Sequence, residues 1–126
     1  MQNLAFSIER YNDLRTELPN ADIVDGSGIM ENVKACKSPK EIEYLREAAK
    51  MTNLGMKAAL KTVSDGKMDN DVASEASLAM LQAGSEYFCI GPIVTSGQRS
   101  GILHSTHKRV RLNRGDAVLI EMGGCY

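Results

Sequence analysis

The chain is poor in the residues that announce a chemistry. It has three cysteines, Cys36, Cys89 and Cys125, in 126 residues. An odd number without C-x-x-C spacing fits neither a disulfide framework nor a zinc ribbon, and it suits a reducing compartment. Only two histidines occur, and the formal net charge is -1. A balance that even supplies no long-range field for nucleic acid or anionic lipid, so neither is expected as a partner. No apolar run approaches the ~20 residues that span a bilayer, and "MQNLAFSIER" lacks the basic start and apolar stretch of a signal peptide. A cytoplasmic location is expected. Repeats, low-complexity segments and flexible linkers are absent as well. So are the G-x-G-x-x-G and G-x-x-x-x-G-K-[ST] phosphate loops and the G-x-S-x-G nucleophile elbow.

What remains is the make-up of an ordinary globule, 43% apolar and 25% charged. At this length the expectation is one compact core. "LAFSIE" alternates enough for a short strand, "YNDLRTELP" suggests a short helix closed by Pro19, and "ADIVDGSG" a second strand running into a turn. At "SPKEIEYL" the signal sharpens. Ser38 is a good N-cap, Pro39 suits the first helical position, and Glu41 can complete a capping box. Apolar residues Ile42, Leu45, Ala49, Met56, Ala59, Leu60 and Val63 follow at helical steps, predicting one long helix of about six to seven turns that ends before Gly66.

A second helix is expected from a cap at Asp69 or Asn70, with Val72, Ala76, Ala79, Met80 and Ala83 on one side and Gly84 as terminator. "YFCIGPIVTSG" is strand-like if Pro92 lies at an edge or bulge. "RVRL", the turn "NRGD" and "AVLIEM" together suggest a β-hairpin. The fold class is therefore α+β, two long helices covering one face of an antiparallel sheet.

Few side chains could do chemistry. Glu121 interrupts an apolar strand. If buried, its carboxylate must neutralise, find a partner or bind a cation; on an edge strand it simply meets water. His104 and His107 lie in the loop-like "GILHSTHKR". Histidine suits proton transfer near neutral pH, yet an isolated one is more often plain surface or core. Their spacing is not that of H-E-x-x-H, and no acidic residue or cysteine stands near them in sequence, so the metal case is weak. Cys89 and Cys125 have no adjacent base and are expected to be buried, inert thiols. Met51, Met56 and Met80 fall on helical faces as core filler.

The order of these segments resembles the creatinase, prolidase (Xaa-Pro peptidase) and methionine aminopeptidase family, peptidase family M24, whose catalytic domain has the pita-bread fold. The residues that carry the likeness are Lys37, Ser38, Pro39, Glu41 and Ile42, then Ser96 and Gly97, then His104, then Gly115 and Asp116, then Glu121. The resemblance implies that residues 1–36 are the tail and linker of an N-terminal creatinase-type domain and that 37–126 are the first half of the pita-bread domain, cut short. It implies hydrolysis of an amide-type C–N bond, with His104 and Glu121 catalytic and no dedicated cofactor-binding residues. The chain alone is expected to be inactive, and the full-length protein to be a homodimer.

In the family's metallopeptidases an aspartate, the first ligand of a dinuclear centre, stands where this sequence has Glu121. The extra methylene displaces the carboxylate by more than the ~0.2 Å tolerance of a metal bond unless the backbone adjusts. Creatinase and ectoine hydrolase resemble the family in fold but work without metals. The reading therefore leans to a metal-independent hydrolase of a small amide, amidine or cyclic amidine. In it His104 is general acid or base, and Glu121 orients water or substrate or acts as nucleophile. In the alternative Glu121 is a metal ligand, the cofactors are two divalent ions (Mn, Co, Zn or Fe), and the substrate is a dipeptide or peptide with proline second. A third possibility is a non-catalytic pita-bread binding module.

Overall fold

The computed structural model describes residues 6–126. They divide into two compact units, one ending at Cys36 and one spanning Lys37–Tyr126, where length alone suggested one. The first unit holds helices α1 (Ile8–Glu17) and α2 (Ile29–Ala35). The second holds α3 (Pro39–Thr62), α4 (Asp69–Gln82), strand β1 (Phe88–Ser96), a 3-10 turn (Gly97–Gly101) and strand β2 (Val118–Gly124).

Neither strand expected in the first unit forms among the described residues. Ser7 caps α1 instead, its hydroxyl accepting from the Arg10 N–H at 3.3 Å, so Ile8 and Glu9 begin a helix. Leu4 and Ala5 of the expected strand lie outside the described residues. The helix closes at Glu17, before Pro19, as the proline predicts. At the second site Asp25 turns the chain by accepting from the Ser27 N–H at 2.8 Å, a local bond that competes with an extended ladder.

Helix α3 starts where its cap dictates. The Ser38 N–H and hydroxyl each donate to the Glu41 carboxylate at 2.7 Å, and the Glu41 N–H returns a bond to Ser38 Oγ at 3.3 Å. These donors hold the Glu41 carboxyl below its ordinary value of 4.5, the backbone bond contributing most and the side-chain bond next. A folded-state value that is depressed adds stability above the ordinary value, and that stability is lost as pH falls through the depressed one. Thermal melts between about pH 5 and pH 3 are therefore expected to decline more steeply for the native chain than for Glu41→Gln.

At 24 residues α3 makes the predicted number of turns, but it buries a narrower stripe than expected. Met51, Gly55 and Ala59 are buried, whereas Ile42, Leu45 and Leu60 are exposed. The stripe is built of small residues because α4 crosses close by. A Cβ added to Gly55 would lie 2.5 Å from Met80 Cγ and 3.1 Å from both the Ala76 carbonyl oxygen and Met122 Sδ. The core beneath the crossing is Ala59, Val72, Ala73, Ala76, Val94 and Leu112, with Val63, Val118, Ile120 and Met122 packed on it.

β1 and β2 pair antiparallel, with Ile93 opposite Glu121, Val94 opposite Ile120 and Ser96 opposite Val118. The register slips between Ile90 and Ile93, so the strand accommodates Pro92 at an irregularity, where its missing N–H costs no ladder bond. Both helices pack on this two-stranded sheet. The expected hairpin of "RVRL" with "AVLIEM" does not form. β2 takes β1 as its partner, and 110–112 pairs with the α3–α4 connection through Leu112 N–H to Lys67 O (2.8 Å) and Gly66 N–H to Leu112 O (2.9 Å). The "NRGD" turn is nonetheless real, with the Asp116 carboxylate accepting from the Asn113 N–H at 3.0 Å.

Candidate active site

Strand alternation decides which way Glu121 faces. Val118, Ile120 and Met122 pack on the helix-covered core, so Leu119 and Glu121 belong to the opposite face, together with Ile93 and Thr95 across the ladder. The carboxylate is neither sealed in the core nor free on an edge; its side chain is 35% exposed. Its partner comes from the loop after β1. Nε2 of His104 lies 3.9 Å from Glu121 Oε1, on a side chain 68% exposed. That separation is an ion-pair distance rather than a hydrogen bond, and catalytic contacts commonly tighten only when substrate binds.

His104 reaches this position at a backbone cost. Its φ is 54°, in the left-handed region that side chains with a Cβ seldom enter. The loop begins at another left-handed residue, Gly97 (φ 56°), whose N–H donates to the Ala117 carbonyl at 3.0 Å. A Cβ on Gly97 would come 3.3 Å from Asp116 Oδ1. Gly97 and Asp116, distant in sequence, thus meet where the loop leaves β1 and β2 begins, and they set the frame that carries His104 and Glu121.

His107 is not part of the pair. Its Nδ1 is buried and makes no hydrogen bond with the protein, as is also true of Thr95 Oγ1 and Ser96 Oγ at the end of β1. Cys36 and Cys89 are exposed free thiols and Cys125 is half-buried, so the expectation of buried cysteines at 89 and 125 is corrected. Cys89 lies on β1 between Phe88 and Ile90, where the register first slips, and its side chain is exposed.

Two residues bound to the His104 loop carry no local signal in the sequence, Asp69 and Arg99. Asp69, expected as a helix cap, is fully buried and inside α4, whose cap residue is Met68. Its carboxylate accepts from the Asn70 N–H (2.8 Å), the Lys108 N–H (2.9 Å) and the Val110 N–H (3.0 Å), and it pairs with Arg99 Nη1 at 3.5 Å. Arg99 in turn donates through Nη2 to Ser105 Oγ (2.9 Å) and to the Thr106 carbonyl (2.6 Å). A buried carboxylate whose loop partners lie 30 to 41 positions away leaves no local pattern; the sole hint is an acidic residue at a helix start followed later by a basic loop.

Among the described residues no group of three His, Cys, Asp or Glu side chains is arranged to hold a metal ion. Glu121 and His104 offer two donors, short of the roughly three or four a protein-held metal takes. By themselves these residues do not fit a metal centre.

The family model described as "Metallopeptidase family M24" matches residues 43–126, most of the second unit and two strands with the loop between them. The chain belongs to family M24. As a member it is similar to the Xaa-Pro dipeptidase of Pyrococcus horikoshii, 30% identical over 98 residues, 78% of this chain and 28% of that protein. It is also similar to the ectoine hydrolase of Halomonas elongata, 27% identical over 135 residues, covering 100% of this chain and 34% of that protein. The prolidase of Pyrococcus horikoshii OT3 shares its fold, with a TM-score of 0.87 at 24% identity over 98% of this chain and 35% of that one. The M24 chain thus spans about a third of the length of the curated relatives it matches. The shared fold bears out the α+β, pita-bread expectation. Among the described residues no helix is long and apolar enough to cross a membrane.

Proposed function

We propose that the complete protein hydrolyses an amide-type C–N bond of a small molecule without a metal ion, using His104 as general acid or base. Glu121 orients water or substrate, or attacks as a nucleophile. The observation that carries this reading is the approach of His104 Nε2 to Glu121 Oε1 on the sheet face that the helices leave uncovered. An imidazole beside a carboxylate can take a proton from an attacking group and return it to a leaving amine, the division of labour that C–N cleavage requires. The glutamate, one methylene longer than the aspartate that the resemblance puts at this position in metallopeptidases, reaches the imidazole from the strand. The ectoine hydrolase relative, matched over the whole chain, favours a small amide, amidine or cyclic amidine as substrate.

A second reading is favoured by the Xaa-Pro dipeptidase names, which lend no support to metal independence. There Glu121 is one ligand of a dinuclear metal pair whose other ligands come from outside these 126 residues, and the substrate is a dipeptide with proline second. On either reading we take residues 1–36 as the tail of an N-terminal domain and 37–126 as the first half of the catalytic domain, inactive alone.

Glu121→Asp in the complete protein separates the two. On the metal-free reading the shorter carboxylate withdraws from His104 and small-amide turnover falls about tenfold or more. Turnover of Xaa-Pro dipeptides that is present in the native protein and rises in Glu121→Asp would overturn the proposal.

A further inference from the structure

We infer that Asp69 and Arg99 form a clamp whose task is to position His104, and that both are therefore positioning residues for the reaction. The inference rests on the reading of His104 as the acid or base. The strain of that residue and the looseness of its surroundings do not match. His104 holds a left-handed backbone and an exposed side chain, and both neighbours before it, Ile102 and Leu103, are exposed too. Nothing in the packing of the loop tip explains why its ring should face Glu121. Backbone conformations of this kind persist only where surrounding bonds over-determine them.

Those bonds come from Arg99. Its Nη2 donates to Ser105 Oγ, on the residue that follows His104, and to the carbonyl of Thr106. The Ser105 N–H donates to the Ile102 carbonyl at 3.3 Å, and the Ile102 N–H to the Arg99 carbonyl at 3.1 Å, so the segment from Arg99 to Thr106 closes on itself with His104 at its bend. A guanidinium suits this task because its planar fork can meet two acceptors at once and still present Nη1 elsewhere. Nη1 meets Asp69, which has no exposed surface and which also binds the N–H groups of Lys108 and Val110. The Asp69 N–H donates to the Val110 carbonyl at 2.9 Å, and Asn70 Oδ1 accepts from the N–H of Arg109, the other left-handed residue with a side chain. The loop is thereby fastened at both ends to the first turn of α4, itself locked into the core by Val72 and Ala76.

Such a device trades burial cost for placement. A carboxylate taken wholly out of water demands several partners, and here every partner but its own helix neighbour belongs to the loop that presents the histidine. Misplacement of a catalytic group by about 1 Å can cost a hundredfold in rate. Loss of the clamp should therefore act through His104 and not merely through stability.

The test is a pair of cycles in the complete protein. Arg99→Lys keeps a cation beside Asp69 but cannot serve Ser105 and Thr106 together; Ser105→Ala removes one acceptor and spares the fold. Arg99→Lys is expected to lower kcat about tenfold to a hundredfold with KM changed less than about threefold, and Ser105→Ala to lower it severalfold. In the His104→Ala background each substitution is expected to change kcat by less than about twofold, since residues acting as one unit are not additive. Equal losses in both backgrounds, or no loss in the native one, would overturn the inference. If His104→Ala itself leaves kcat unchanged, it is the reading of the site that falls, and the two failures are thus told apart. Should Arg99→Lys melt far below the native protein, the Ser105→Ala cycle decides on its own.

Discussion

Replacing His104 with alanine in the complete protein is expected to lower kcat/KM by about a hundredfold to ten-thousandfold, the span that a positioned acid or base contributes. Glu121→Gln, which keeps shape and removes charge, should fall in the same range. The double variant should lose little more than the worse single one, because the two side chains lie 3.9 Å apart and residues that serve one reaction step as a unit are not additive. His107→Ala is the control. The ion pair of Glu121 is with His104 and not with His107, so a loss as large as that of His104→Ala would show that the pair has been misassigned. Steady-state kinetics on purified variants, with circular dichroism confirming the native fold, supply the measurement.

The second large effect is on stability. Gly55→Val should destabilise the protein by about 2–4 kcal/mol, because overpacking a close crossing costs about 1–3 kcal/mol and a larger side chain cannot be absorbed by one neighbour. The added atoms would meet Met80, Met122 and the Ala76 carbonyl together, and a backbone oxygen cannot swing aside. Gly55→Ala should cost less, since alanine recovers up to about 1 kcal/mol of helix propensity. Denaturant unfolding would check both. A Gly55→Val midpoint equal to the native one would mean that α3 and α4 do not cross as described.

Much of this was legible in the sequence, and the limits have physical causes. The start of α3 was readable because a capping box is local: Ser38 and Glu41 carry the whole signal within four positions. The bulge at Pro92 was readable for the same reason. Pairing was not. β2 joins β1 across more than 20 intervening residues, while the segment nearest to it, 109–112, fastens to the α3–α4 connection instead. Local alternation cannot tell these partners apart, because both choices bury the same face.

At the site, His104 and Glu121 were legible as residue types out of place, a histidine in a loop and a carboxylate in an apolar strand. Their approach was not, since it depends on Gly97 and His104 both entering left-handed conformations. Asp69 was read as a cap because acidic residues favour helix starts. Its burial follows only once the loop from Arg99 to Val110 folds over it.

The most direct test of the central claim is the metal content of the complete protein, purified without chelators and analysed by plasma mass spectrometry, with turnover measured before and after chelation. The account predicts no stoichiometric metal and turnover of a small amide or cyclic amidine that chelation leaves unchanged. About two equivalents of manganese, cobalt, zinc or iron, with activity lost on chelation and restored by the ion, would contradict it and make Glu121 a metal ligand.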